Sequence, residues 1–401
     1  MQKFTSCFLL AFCLCFSCQM ASAQMVASDI FLQGRYLEVG QSDNGSLGSS
    51  APAPGVYHPY PGGPLAMVYD YGHDGWVPGT PGYFGDYTLP VSKYEGWGLQ
   101  VNGPSGLNWA FSDSTGITGP GSLAGHNVSY SNLGGHLTAN WSGMAAGGNL
   151  AIKTHTVVDT SASWAVITVG LYNTSAIPIP GICYLRSCNP QNDYTHSSNP
   201  ATNNKVSYQD DVLHRVMVSS TGTVDTNAYL GLGTVDSRAK AFVYGSWPIS
   251  GSVTDLATVW AGTALISPQY SVGVADNGDK AIGLVYNLGT LPAGDSFSLS
   301  YSYIFNGVSG IDSAFRHSVT TSVSSIDAVS DIHIFPNPAD SWLNITSTGT
   351  IKTLAIGNII GQTIITHTFD SDKVLLNIAD LEPGVYFIRV NGNEVRKFVK
   401  G

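Results

Sequence analysis

Between residues 24 and 325 the chain has two glutamates, Glu38 in YLEVG and Glu95 in YEGWG. Glycoside cleavage needs two positioned carboxyl groups whose pKa values are driven apart, and both glutamates have aromatic or apolar neighbours able to desolvate them. Structural carboxylates sit in the same company. The spacing therefore favours the plainer reading, with Glu38 on the wet face of a strand and Glu95 in a loop bonded to nearby backbone. His58 and the loop DYGHDGW, with Asp70, His73 and Asp74, form a second set able to hold a metal or share a proton. Spacing of three and four residues gathers side chains on a helix, however, and this glycine-flanked loop is none. Turn capping is its expected role.

Trp76, Tyr83, Tyr87, Tyr94 and Trp97 crowd one stretch together with Gly, Asn and Asp. Such a mixture makes platforms on which sugar rings stack, and it equally makes the packing under long loops. Cys183 and Cys188 in ICYLRSCNPQND stand close enough in sequence for a disulfide, yet five extended steps span about 16 Å and a bridge needs Cα atoms about 5.5 Å apart. The bridge requires a turn between them, and the sequence leaves the matter open. No Walker A, no G-x-S-x-G and no glycine-rich dinucleotide turn is present. No residue set calls for a metal or a cofactor.

The elements that must carry these residues are strands. Only 11% of residues are charged, while Gly contributes 46 and Tyr 20. Amphipathic helices need more Glu, Lys and Arg than this; strands solvate their outer faces with Thr, Ser and Asn, and turns consume Gly. The fold class is all-β. LAIKTHTVVDTSASWAVITVG alternates on both sides of a turn at Asp159-Thr160-Ser161, and TDLATVWAGTAL alone makes a passable helix, capped by Thr254 or Asp255. Asp276-Asn277-Gly278-Asp279 reads as a hairpin turn. Turn signals every eight to twelve residues predict a large antiparallel sandwich over 24–316. The small polar stretch 317–331 reads as a linker, and 332–401 as a small sandwich of its own. Within the last unit, Pro336 and Pro338 break an otherwise strand-like run, as suits an edge.

Lys3, the apolar run Phe4 to Phe16 and Ala21-Ser22-Ala23 before Gln24 read as a signal peptide over 1–23. Without it the net charge goes from −10 to −11. No basic cluster invites nucleic acid, and no later apolar run is long enough to span a membrane.

Phe335-Pro336-Asn337-Pro338, the IGNIIGQTI hairpin, LEPGVYFIRV with Gly384 and Tyr386, and KFVKG with Lys397 occur in an order that closely resembles the C-terminal sorting domain of type IX secretion. The resemblance covers about residues 327–401. It implies passage through the periplasm, recognition of the tail by the outer-membrane machinery, and a passenger that is attached to the cell surface or released. More weakly, GRYLEVGQSDNGSLGSS, DYTLPVSKYEGWGLQ and YLRSCNPQND resemble large supersandwich regions related to galactose-mutarotase-like folds. Related sequences carry Asp where Asn189 and Gln191 stand here, which weakens a calcium loop. The reading is a non-catalytic surface protein that binds a glycan or a cell-surface ligand. A secreted carbohydrate-active enzyme using Glu38 or Glu95, and a purely structural surface component, stand as alternatives.

Overall fold

The computed structural model describes residues 21–59, 63–79, 82–89, 94–112, 117–118, 124–210, 214–245, 249, 253–264, 268–307, 313–314, 332–358, 363–391 and 394–401. They form two compact units, one running to residue 322 and the other built from residue 323 onward. Most of the leader and all of the expected linker lie outside the described residues.

The first unit holds three sheets. An eight-stranded sheet runs in the order Thr202–Gln209, Val216–Gly222, Tyr229–Thr234, Ser296–Ile304, Trp164–Asn173, Leu150–Asp159, His136–Ala145 and Ala124–Leu133. A six-stranded sheet runs Ala239–Tyr244, Ala281–Leu291, Ile179–Cys188, Glu95–Gln100, Leu107–Phe111 and Ile117–Thr118. Ser22–Val26, Asp29–Gln33, Leu37–Gln41 and Met67–Tyr69 make a third, four-stranded sheet.

Alternation decides which face each strand buries. In His136–Ala145 every second residue is buried, and Leu137, Ala139 and Trp141 enter the main core. There they meet Trp97, Leu99, Tyr184 and Leu284 from the six-stranded sheet and Ile30, Val39 and Met67 from the four-stranded one. Antiparallel sheets facing each other over one core make the expected sandwich. The six-stranded sheet is buried on its other face as well. Leu107, Phe111, Cys183 and Leu185 pack there with Leu256 and Val259 of the helix Leu256–Ala261, whose N-cap Asp255 accepts a hydrogen bond from Ala257 N.

Local readings are realised in most places. Leu150–Asp159 and Trp164–Asn173 pair antiparallel around the Asp159 turn. Two readings need correction. Asp276–Asp279 makes no hairpin: Thr202 bridges Gly278 and Lys205 bridges Ala275, so the segment lies along Thr202–Gln209 as an extended strap. A short helix, Tyr194–Ser197, also stands where no helix was expected.

In the second unit His333–Phe335, Trp342–Gly357, Thr363–Asn377, Gly384–Val390 and Glu394–Lys400 form an antiparallel sheet around Leu343, Ile345, Leu354, Ile356, Tyr386, Ile388 and Phe398. Two of the five described strands are long, because register shifts between Thr346 and Thr353 let Trp342–Gly357 bend and serve both halves of the unit. The prolines end the three-residue edge strand His333–Phe335, as their missing N–H groups dictate.

Candidate functional site

Both glutamates are fully buried, which corrects the solvent-facing and loop positions expected for them. Glu95 opens the strand Glu95–Gln100 and points between the sheets. Its Oε1 lies 2.5 Å from Arg186 Nε and accepts from Tyr303 OH at 2.8 Å, while Oε2 accepts from Leu47 N at 2.5 Å. Arg186 comes from the next strand of the same sheet, Tyr303 from the facing sheet. Tyr184 and Tyr301 bond to each other at 3.0 Å, and the Arg186 guanidinium stands over the Tyr301 ring. Burial opposes the Arg186 charge, but Glu95 and the surrounding tyrosines outweigh it and hold the guanidinium well above its ordinary pKa.

This ion pair anchors a buried polar loop. Residues 41–49 leave the strand Leu37–Gln41 and turn between the sheets, all but Asp43 buried. Side chains supply the missing backbone partners: Trp97 Nε1 donates to Asn44 O, Trp141 Nε1 to Asp43 O, and Arg186 Nη1 to Gly45 O, while Asn44 Nδ2 donates to Phe111 O. Gly45 has φ of 79° with the Trp141 ring 3.3 Å from where a Cβ would stand, so the turn requires glycine.

Glu38 accepts from Gln33 Nε2 at 2.8 Å and from His58 N at 2.7 Å, and its Oε1 lies 2.7 Å from His58 Nδ1. The imidazole stacks on Trp76 with centroids 4.7 Å apart, and its side chain is 25% exposed. A buried carboxylate orienting a partly exposed histidine is an arrangement able to move a proton. The two glutamates share no hydrogen-bond partner among the described residues.

The aromatic platform is interior. Trp76, Tyr83, Tyr87 and Trp97 are buried, which closes the ring faces a sugar would need; Tyr94 is half-buried. In DYGHDGW, Asp70 Oδ2 accepts from Gly75 N and Trp76 N, and Asp74 from Val77 N, which is turn capping. His73 stacks on Tyr36 at 3.7 Å. Among the described residues no three of His, Cys, Asp and Glu gather as a metal site needs. Cys183 and Cys188 are free and buried. They occupy one strand with no turn between them, five residues apart and so on opposite faces: Cys183 packs under the helix, Cys188 in the main core. No disulfide joins them.

Sequence reasoning missed Arg186, Tyr303 and Gln33 as partners. An arginine inside the apolar run ICYLRSC was the available signal, since a charge there demands a counter-charge.

In the tail, Phe335, Pro336, Asn337 and Pro338 are all exposed. Asn337 Oδ1 accepts from Val399 N, Ala339 N donates to Val399 O and Gly401 N to Ala339 O, which ties this corner to the last strand. Tyr386 is buried, stacked on Phe398 with its hydroxyl on Glu382 O, and Gly384 opens the strand that carries it. Lys397 pairs through its backbone with Phe387.

The tail is thus a small antiparallel β-sheet unit with an exposed proline corner held against its final strand. Residues 333–400 belong to the family of secretion system C-terminal sorting domains, the tail of type IX secretion. A chain so labelled is exported to the cell surface or secreted. Among curated proteins none matches it. Solved structures similar to the chain include a polysaccharide lyase (10% identity, 95% of this chain and 46% of the lyase, TM-score 0.28). Others are a copper-containing benzylamine oxidase from Hansenula polymorpha (8%, 71% and 60%, 0.29) and a protein assigned as an aldose 1-epimerase from Klebsiella pneumoniae (10%, 75% and 87%, 0.28). The chain spans under half the lyase, and likeness at this level carries no argument about chemistry. No helix among the described residues is long and apolar enough to cross a membrane.

Proposed function

We propose that residues upstream of the tail form a non-catalytic passenger that acts at the cell surface or in the medium as a rigid, surface-binding β-sandwich. One observation carries this reading: Glu95 is fully buried and its carboxylate is occupied by Arg186, Tyr303 and Leu47, which keeps this carboxyl from reaching a leaving group. The buried aromatics move any contact surface away from Trp76, Tyr83, Tyr87 and Trp97 and onto the exposed strands. A glycan array and a reducing-sugar release screen on the purified full chain test it. Binding or silence on the array with no sugar release supports the reading; release abolished by Glu95→Gln or Glu38→Gln sinks it.

The Glu38–His58 pair favours a second reading, a secreted carbohydrate-active enzyme with His58 as the proton carrier and Glu38 orienting it. Its support is the 2.7 Å contact between a buried carboxylate and a partly exposed ring. In the same screen, activity lost in His58→Ala and retained in Glu95→Gln would select this reading.

A further inference from the structure

Register across the first half of the tail builds an outward face three strands wide. Phe335, Asn344 and Leu375 lie side by side on one rung; His333, Thr346 and Lys373 lie on the rung beyond, and Trp342 faces Asn377 on the other side. The intervening residues Leu343, Ile345, Val374 and Leu376 point into the core, so alternation alone turns the first set outward. Three large apolar side chains stand there half bare: Phe335 at 48%, Trp342 at 49% and Leu375 at 57% exposure. Together they leave about 300 Å² of apolar surface around Asn344, the size at which a patch on a monomer is often functional.

We infer that this face is where a protein of the type IX machinery holds the tail, through an apolar pocket that takes Trp342, Phe335 and Leu375 and a polar group that meets Asn344. The inference rests on the reading of the tail as an export label. Continuity identifies the occupant: Phe335 belongs both to this face and to the exposed Phe335–Pro338 corner, inside the segment that matches the sorting family. Chemistry selects protein over lipid. Asn344 sits at the centre and Lys373 and Asn377 at the rim; hydrocarbon would desolvate these two amides and the ammonium with no partner in return, whereas a protein surface supplies hydrogen bonds. Tryptophan and phenylalanine are also the kind of anchor that dominates such contacts. Tyr386 and Gly384, by contrast, act through the fold of the tail.

The test expresses the full chain in a host with the type IX machinery and compares Trp342→Ser/Leu375→Ser with a truncation before residue 332. The expected result is at least a tenfold fall in extracellular chain for both, with intact double variant retained in the periplasm and its thermal melting unchanged. If the double variant is unstable, Leu375→Thr, which suits an exposed strand position, carries the same comparison with a severalfold fall. Wild-type export of the variants with the truncation blocked overturns the face and leaves the export reading standing. Export of the truncated chain overturns that reading itself. A wild-type dimer that the substitutions dissolve without loss of export assigns the face to a second copy, and also overturns the proposal.

Discussion

Arg186 Nε lies 2.5 Å from Glu95 Oε1, and neither side chain reaches solvent. The pair joins two adjacent strands of one sheet, reaches the facing sheet through Tyr303, and holds the buried loop through Leu47 N and Gly45 O. A charge pair in that position fixes how the loop and both sheets meet.

Arg186→Met leaves Glu95 buried without its counter-charge, and Glu95→Gln leaves Arg186 in the same state. Each single change is expected to cost about 3–5 kcal/mol, whereas the double change to Glu95→Gln with Arg186→Met costs less than the two singles summed. Urea unfolding of the four proteins measures this. Additive costs would show that the two side chains do not act as a unit.

A second buried carboxylate gives the unit a pH dependence. Burial pushes Asp86 up to about 6 from an ordinary 3.8, against hydrogen bonds from Ala66 N, Thr88 N and Met67 N that favour the anion. An acid whose folded pKa is raised binds its proton more tightly folded than unfolded. Its stabilising share is therefore complete below about pH 4 and is lost as pH rises through about 6, a difference on the order of 3 kcal/mol. Unfolding midpoints measured from pH 4 to 7 should fall by that share, and Asp86→Asn should flatten the slope. The variant also loses stability at every pH, since an amide has one acceptor for the N–H groups the carboxylate now serves. An equal slope in wild type and variant would remove Asp86 as the cause.

The two thiols are expected to be inert. Burial, with Asp255 nearby, pushes Cys183 up to about 11; burial, with Glu95 nearby, drives Cys188 well above the usual thiol range. Thiolate is the reactive form, so a thiol reagent at pH 8 should label neither cysteine in the folded chain from Gln24 onward and both after denaturation. Reductant should leave the melting temperature unchanged. A reductant-dependent shift would reveal a bridge that the shared strand forbids.

How far the sequence reaches can be traced along these residues. Alternation in 150–173 foretold two strands and their turn, because a period of two is local information. Phe335–Pro338 foretold an edge because proline's missing N–H acts wherever it stands. The partners of Glu95 were not legible: Leu47, Arg186 and Tyr303 come from three distant stretches, and only the facing of two sheets brings them together. The aromatic-rich stretch misled for a related reason. Trp76 and Tyr83 look alike in sequence whether they line a platform or fill a core, and it is the contacts with Phe31, Leu65 and Val68 that bury them. Asp276–Asp279 has hairpin residues, yet its hydrogen bonds went to Thr202 and Asn204 across the chain.

The tail separates a residue that makes the fold from residues that face outward. Tyr386 contributes a ring stacked on Phe398 at 5.7 Å between centroids and a hydroxyl on Glu382 O at 2.9 Å. Tyr386→Phe loses only the hydrogen bond and should cost about 1 kcal/mol, with export near wild type. Tyr386→Ala opens a cavity beside Ile388 and Phe398 and should cost about 3–5 kcal/mol, enough to unfold a unit of this size. Limited proteolysis of the full chain then shows selective loss of the tail while the upstream unit survives, and export falls with it. The two variants separate fold from contact. A Tyr386→Phe chain that stays folded but is not exported would place the hydroxyl in the machinery's grip instead of on Glu382.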